Sequence, residues 1–463
     1  MKLKSWVTSL AVLCVVASAG SADAARINIG DSGGFIDPGA IVQTWVRITQ
    51  NGSADHSGPS YDFYLRRMRF YMNGAINSQI GVIANTDISY TQAGAAAGDV
   101  ITNPVTQQNS VRFASPTIVM NEALGYWYPC KEFVLQVGLQ LLPWVHESMT
   151  DITKFAALDE QTDATERGRP AGYFGRDRDI GIVVRGVLFG DGILEYRLGI
   201  FNGVQTIAGK STPTATGLTA TGTTPNNGAV NYPAYTGVNP GDAPSFDGFI
   251  RINIIGNDSL GYAYTGGIAY NGKSYLSVGA GANIQPRAIA APVRGAPGAN
   301  YQGYFVDLHG DFAFGDNELV IEAGWVRTVY QGSGAPLPSA SSLALINNAG
   351  NALYGSLGVR FGIIYPYFAI EDYMSNLNDQ QIQSTYQAFG TGWGAAAGRV
   401  GSLVTYHGGL KLFASGAPGN QFMINLDLAF QGKAQAGNVT VAGGPTPING
   451  NQWSGTLEFQ WKI

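Results

Sequence analysis

Along residues 61–90, apolar and polar positions trade places with a period of two. Met68, Phe70 and Met72 share one parity, and Arg67, Arg69 and Asn73 share the other. Successive side chains of a strand point to opposite faces, so the stretch predicts a strand with one apolar face and one bearing arginines and an amide. By the same parity Arg66 points to the apolar side, a placement that suits a position near a membrane interface. A second strand follows, with Ile80, Val82, Ala84, Ile88 and Tyr90 on one face and Asn85, Asp87 and Ser89 on the other. Asn73-Gly74 and Asn77-Ser78 supply turn chemistry between the two.

A single alternating hairpin would fit a soluble sheet equally well. What separates the readings is recurrence of the pattern to the end of the chain, with short and long connections in turn. A Gly-rich lead-in over residues 26–39 precedes a first strand at 41–48. After the hairpin come a strand at 117–128 whose parity is ambiguous, a turn at 129–132 holding Cys130, and a strand at 133–140. Phe189-Gly190-Asp191-Gly192 joins the strands at 180–188 and 193–201, and Leu194, Tyr196, Leu198 and Ile200 oppose Glu195 and Arg197. Ile250, Ile252 and Ile254 alternate with Arg251 and Asn253, and residues 260–271 read as either strand or turn. Tyr304, Val306, Leu308 and Phe312 oppose Asp307, His309 and Asp311, and the same rhythm continues through Leu426, Leu428, Leu457 and Phe459. The result is about 16 strands. An even count with alternating short and long connections predicts an all-β fold, a transmembrane antiparallel β-barrel of the outer-membrane kind. Such a barrel closes on itself, so no backbone edge meets lipid.

Composition sharpens this. The chain has 463 residues, only 13% of them charged, with 63 glycines, 23 tyrosines and a mean hydropathy of +0.02. The mature region has no apolar run of the roughly 18 residues that a membrane helix needs, so helical spanning is excluded. Lys2 and Lys4, the apolar residues 7–17 and Ala22-Asp23-Ala24 together read as a secretion signal cleaved near Ala24. Residues 1–24 are therefore expected to be the leader and 25–463 the barrel. Cys14 leaves with the leader and Cys130 remains as the single mature cysteine, which allows no internal disulfide. The net charge of −5 becomes −6 without Lys2, Lys4 and Asp23, and nothing suggests nucleic acid as a partner.

Residues 143–179 break the rhythm. This connection is about twice the length of most and counts as the third outer loop. It holds Glu147, Asp151, Asp159, Glu160, Asp163, Glu166, Asp177 and Asp179 against Lys154, Arg167, Arg169, Arg176 and Arg178. We expect it to fold into the lumen as a constriction, with Glu147, Asp151, Lys154, Arg167, Arg169, Arg176 and Arg178 as its candidate residues. The competing reading is a solvated outer loop.

Three places resemble the phosphate-selective porin O and P family. Leu65-Arg66-Arg67-Met68-Arg69 followed by Gly74 is similar to an early strand motif of that family. Val137-Gly138-Leu139-Gln140, with Pro143 and Glu147-Ser148, is similar to the start of its third loop. Arg178-Asp179-Ile180-Gly181, with Gly199-Ile200-Phe201-Asn202-Gly203, is similar to the segment that follows. The resemblance implies a homotrimeric, 16-stranded outer-membrane channel for anions, phosphate among them. Two departures stand out: the chain ends in Ile463 where the family favours Phe, and the third loop has a single lysine and more acids than bases.

A pore needs fixed charges facing water at a narrow point, where low-dielectric walls focus their field. Parity selects Arg67, Arg69, Asp87, Arg185, Glu195, Arg197, Arg251, Asp307, Asp311 and Arg360 as pore-lining candidates, with Arg47, Lys411, Glu322, Asp427 and Glu458 beside them. For any one of them, wall solvation or salt bridging is the competing role. The signs nearly balance, so transverse fields between opposed walls are expected rather than a ladder of one sign. No metal-ligand or haem spacing occurs, and no cofactor or metal is expected. The nearest approach to a catalytic cluster is Asp307-Leu308-His309-Gly310-Asp311. Three readings stand: a diffusion channel for small hydrophilic solutes or ions, a structural barrel that sheathes or anchors a partner, and a barrel hydrolase. The first is expected, without enzymatic activity and with outer-membrane lipid around it.

Overall fold

The computed structural model describes residues 26–30, 33–50, 59–89, 117–146, 149–150, 178–190, 192–203, 206–207, 243–257, 273–290, 299–331, 350–375, 403–413, 422–431 and 452–462. In chain order the strands are β1 (Ile27–Ile29), β2 (Gly34–Thr49), β3 (Ser60–Ala75), β4 (Ile80–Ser89), β5 (Thr117–Cys130) and β6 (Phe133–Leu141). Then come β7 (Arg178–Leu188), β8 (Leu194–Phe201), β9 (Thr206–Ile207), β10 (Ser245–Ile255), β11 (Tyr275–Ala290) and β12 (Ala299–Phe314). The last six are β13 (Asn317–Gln331), β14 (Gly350–Phe361), β15 (Ile364–Ser375), β16 (Leu403–Phe413), β17 (Phe422–Gln431) and β18 (Gln452–Lys462).

Sixteen of these pair antiparallel, each with its neighbour in the chain, and β18 returns to β2 from Ser454↔Thr49 to Lys462↔Ile41. The sheet is a closed barrel. The two short strands stand outside the ring of sixteen: β1 pairs with the start of β2, and β9 runs parallel to the end of β11.

Burial follows the parity of the sequence. Outward positions are apolar and open, as at Ile200, Ile252 and Leu428, the last 59% exposed. Inward positions carry the polar groups, and Asn425, Asp427 and Glu458 are each at most 1% exposed. Two-residue turns at 131–132, 315–316 and 362–363 close one rim, with Gly315 and Gly362 at φ of 62° and 57°, left-handed values that suit glycine.

Three expectations change. The lead-in at 26–39 is built into the wall: Gly30 and Gly33, both at positive φ, turn β1 back onto β2, which starts at Gly34 instead of residue 41. Pro38 sits where β2 pairs with β3 alone, below the last partner on β18, so its missing N–H costs no ladder bond on that side. Second, the ambiguous parity of β5 comes from a register shift opposite Asn85 and Thr86, where Asn121 is the extra residue. Ile118 and Met120 point outward before the shift, while Glu122, Leu124 and Tyr126 point inward after it.

Third, Arg66 faces inward. The pairing passes from Gln43↔Arg67 to Thr44↔Leu65, leaving Arg66 as a bulge residue. Its guanidinium lies 5.1 Å from the ring centroid of the buried, inward Trp45, and that of Arg47 lies 5.3 Å from the same ring. Cys130 ends β5 opposite Phe133, one step before the turn, and residues 260–271 lie outside the described residues.

Abundant glycine and tyrosine have a common explanation. On the inner face, Gly39, Gly81, Gly324 and Gly409 stand directly opposite Tyr71, Tyr126, Tyr354 and Tyr367 on the neighbouring strand. In each pair the tyrosine ring occupies the space where a glycine Cβ would be. The ring therefore lies across the wall, covers the bare backbone and takes little lumen volume. Tyr367 uses this pose to donate its hydroxyl proton to Asp427 at 2.7 Å. Gly409→Val is expected to lift the Tyr367 ring and destabilise the barrel by about 1–3 kcal/mol; a fall in the urea midpoint, read by tryptophan fluorescence, checks it.

Candidate functional site

The inner wall from β7 to β14 receives the start of the third long connection. Past Leu141 the chain does not turn out toward solvent. Leu142, Trp144, Val145 and Met149 are buried against Val183, Phe201, Phe249, Phe305, Val326 and Tyr354. The floor under them is cleared by glycine: a Cβ on Gly281 would run into the Trp144 carbonyl, and one on Gly303 would come within 2.8 Å of the Trp144 ring. The opening of this loop thus lies inside the barrel. Of the constriction candidates, Glu147, Asp151, Lys154, Arg167, Arg169 and Arg176 lie outside the described residues. Arg178 opens β7, with its Nε 3.8 Å from Glu122 Oε1.

His146 pins that segment. Its Nδ1 stands 2.6 Å from Asp307 Oδ2 on β12, and its Nε2 stands 3.3 Å from Arg251 Nη1 on β10. A guanidinium can only donate, so Nε2 accepts and the ring proton on Nδ1 is donated to Asp307. Arg251, at 0% exposure, also donates to Glu195 Oε2 through Nε (3.1 Å) and Nη2 (2.5 Å), and Arg197 Nε donates to Glu195 Oε1 at 2.9 Å. The chain Arg197, Glu195, Arg251, His146, Asp307 ties three wall strands to the loop. Removing one partner from such a buried set leaves an uncompensated charge, a loss of about 3–5 kcal/mol.

The remaining candidates are also on the inner face. Arg69 grips Asp87 with two bonds, Nε to Oδ1 at 2.7 Å and Nη2 to Oδ2 at 2.8 Å, and Arg67 pairs opposite the inward Gln43. Arg185 on β7 stands opposite Arg197. Asp311 is buried opposite Tyr275, and Arg360 Nε lies 3.4 Å from Glu318 Oε2. The structure thus brings Glu195, Arg197, Arg251 and Asp307 into one network, and keeps Arg69 with Asp87 in another.

The Asp307–His309–Asp311 cluster does not assemble as a triad. His309 is satisfied by Tyr275 Oη at 2.7 Å and by Glu322 Oε1 at 3.0 Å, while Asp307 is taken by His146. Among the described residues no group of three or more His, Cys, Asp or Glu side chains could hold a metal ion.

Sequence reasoning missed several groups. Glu122, Asp179, Asp247, Glu318 and Glu371 join the inner face, and on the basic side so does Arg66. The inward segment itself had a legible signal. Leu141-Leu142-Pro143-Trp144-Val145 is an apolar run continuing past the end of a strand, where a loop bound for solvent would turn polar.

A closed ring of sixteen antiparallel strands, apolar outside and charged within, is the architecture of outer-membrane barrels. Outer-membrane proteins are among the solved structures with which the chain aligns. An anion-selective porin from Comamonas acidovorans is 12% identical, with a TM-score of 0.49 over 93% of this chain and all of that one. OmpF of Salmonella typhi is 10% identical, with a TM-score of 0.47 over 94% of this chain and all of that one. The outer-membrane protein OpdK of Pseudomonas aeruginosa is 10% identical, with a TM-score of 0.40 over 92% and 98%. No family model matches the chain, and no curated protein matches it.

Gly281→Val is expected to push the Trp144 segment off the wall. Single-channel conductance should rise, and tryptic cleavage within residues 151–177 of the folded protein should speed up.

Proposed function

We propose that this protein is a porin of the bacterial outer membrane, a water-filled channel for passive diffusion of small hydrophilic solutes and ions. The observation that carries the reading is the closed sixteen-stranded ring with charged groups held on its inner face. A packed core cannot fill a barrel of this strand number, so a polar interior means water. On this reading the charges of the inner face serve to shape the field met by a passing solute.

Selectivity for phosphate, implied by the resemblance to the O and P family, finds little support in the charges. The groups that the structure adds to the inner face are mostly carboxylates, and Arg69, Arg197 and Arg251 are each bonded to one. We therefore read the pore as weakly selective. Assembly as a homotrimer and cleavage near Ala24 belong to the same reading. The alternative, a barrel that sheathes or anchors a partner, needs the same wall but no open path.

Purified protein in a planar bilayer under a salt gradient decides between them. Steady ohmic steps with weak or cation-leaning selectivity, unaffected by added phosphate, are expected. An anion-favouring reversal potential, with phosphate block relieved in Arg67→Ala or Arg69→Ala, would establish the phosphate reading instead. No conductance would leave the scaffold in front.

A further inference from the structure

One row of the inner wall is apolar where the rows beside it are polar. Across β10 to β14 the register sets Phe249, Gly281, Phe305, Val326 and Ala352 side by side. The next row toward the long connections holds Asp247, Asn283 and Thr328, and the next row toward the short turns holds Arg251 and Asp307. Phe249, Phe305, Val326 and Ala352 are each at most 4% exposed. A wall facing water has no use for such a row. A buried apolar stripe on it marks a surface on which something apolar is seated.

The occupant is Trp144, which belongs to the same buried cluster as the four apolar wall residues. Two glycines leave the room it uses. A Cβ on Gly303 would stand 2.8 Å from Trp144 Cζ3 and 2.9 Å from Cη2, and Tyr301 Oη closes on the same point at 3.0 Å. A Cβ on Gly281 would strike the Trp144 carbonyl. Phe249 and Phe305 flank Gly281 in the row, with ring centroids 6.5 Å apart. The seat therefore has bare peptide for a floor and aromatic rings at its sides, a shape that takes a flat ring of indole size.

Trp144 reaches this seat from the connection between β6 and β7 and not from a strand. Burial of apolar side chains and the bridge through His146 hold its segment on the wall. The seat itself is formed by strands of the ring, whose ladder bonds do not pass through the indole. Seat and occupant are separable.

We propose that this seat is a binding site for uncharged planar aromatic solutes, which Trp144 fills as a built-in ligand, and that a free ring entering it displaces Trp144 and lifts the inward segment off the wall. The displacement rests on the channel reading, because its effect is a wider path. A tethered occupant competes at high effective concentration, so a free ring binds weakly while Trp144 is present and tightly once it is removed. An apolar solute without a flat face meets the same rings but cannot lie on the peptide floor.

Fluorine NMR of 5-fluoroindole with the protein in detergent tests the seat. Trp144→Ala is expected to bind one equivalent at least about tenfold more tightly than the wild-type protein, since the tethered competitor is gone. Trp144→Ala combined with Gly303→Val, where a valine stands in the seat, is expected to bind nothing above the micelle background. In planar bilayers indole is expected to raise wild-type conductance over the concentrations at which it binds. Trp144→Ala should start at the higher level and show no further rise, and cyclohexanol, apolar but not flat, should change neither protein. Should Trp144→Ala fail to fold, Trp144→Leu, which leaves most of the seat empty, takes its place. Equal affinity in the single and double variants would overturn the site. Binding that leaves wild-type conductance unchanged would overturn the displacement. Absence of conductance in every protein would overturn the channel reading itself, with the NMR titration still deciding the seat.

Discussion

Every backbone N–H and C=O that meets lipid must find a partner inside the protein, because hydrocarbon offers none. That requirement dictates the ring. An open sheet of sixteen strands would leave two bare edges, and the pairing of β18 with β2 removes both. With the backbone satisfied, the outer face needs only apolar side chains, and the inner face is released to hold charge. The alternation of isoleucine with arginine along β10 is the local trace of this division. So is the pairing of glycine with tyrosine, which covers exposed wall without filling the lumen.

Within the barrel a second constraint acts. Charges withdrawn from bulk water must be answered nearby, and here they are answered by neighbours on adjacent strands and by His146 from the loop. The same bonds that satisfy the charges fix their positions, so the field in the lumen belongs to a rigid arrangement. On the channel reading, a diffusing solute meets that field without the wall having to reorganise. Among the described residues, the His146 imidazole ties the inward loop to the arrangement by bridging an arginine and an aspartate.

Period-two patterning made the sixteen strands legible because burial on one side and lipid on the other impose the same alternation on every strand. It failed where the period itself breaks. Arg66 and Asn121 are single extra residues in their strands, and each reverses the faces of what precedes it. A linear pattern carries no mark of a bulge. β1 was illegible for a different reason, being three residues long and held by two glycines in left-handed conformations. At the site, Arg69 with Asp87 could be placed from parity, since both stand mid-strand in an unbroken alternation. The partners of Asp307 could not: His146 is 161 residues distant in sequence, and only the fold of the loop brings them together.

Closure has a consequence in time. Gln43 on β2 and Gln460 on β18 share a hydrogen bond across 417 residues of chain, so the seam joins nearly the first part of the barrel made to the last. Contacts of such sequence separation form slowly, because the loop they close must first be brought together by diffusion. Until β18 arrives, β2 holds an open edge that would template pairing with any extended segment nearby. The short β1, folded back on the foot of that edge, occupies the stretch that β18 never reaches. It leaves the late-arriving strand a seam already finished at one end.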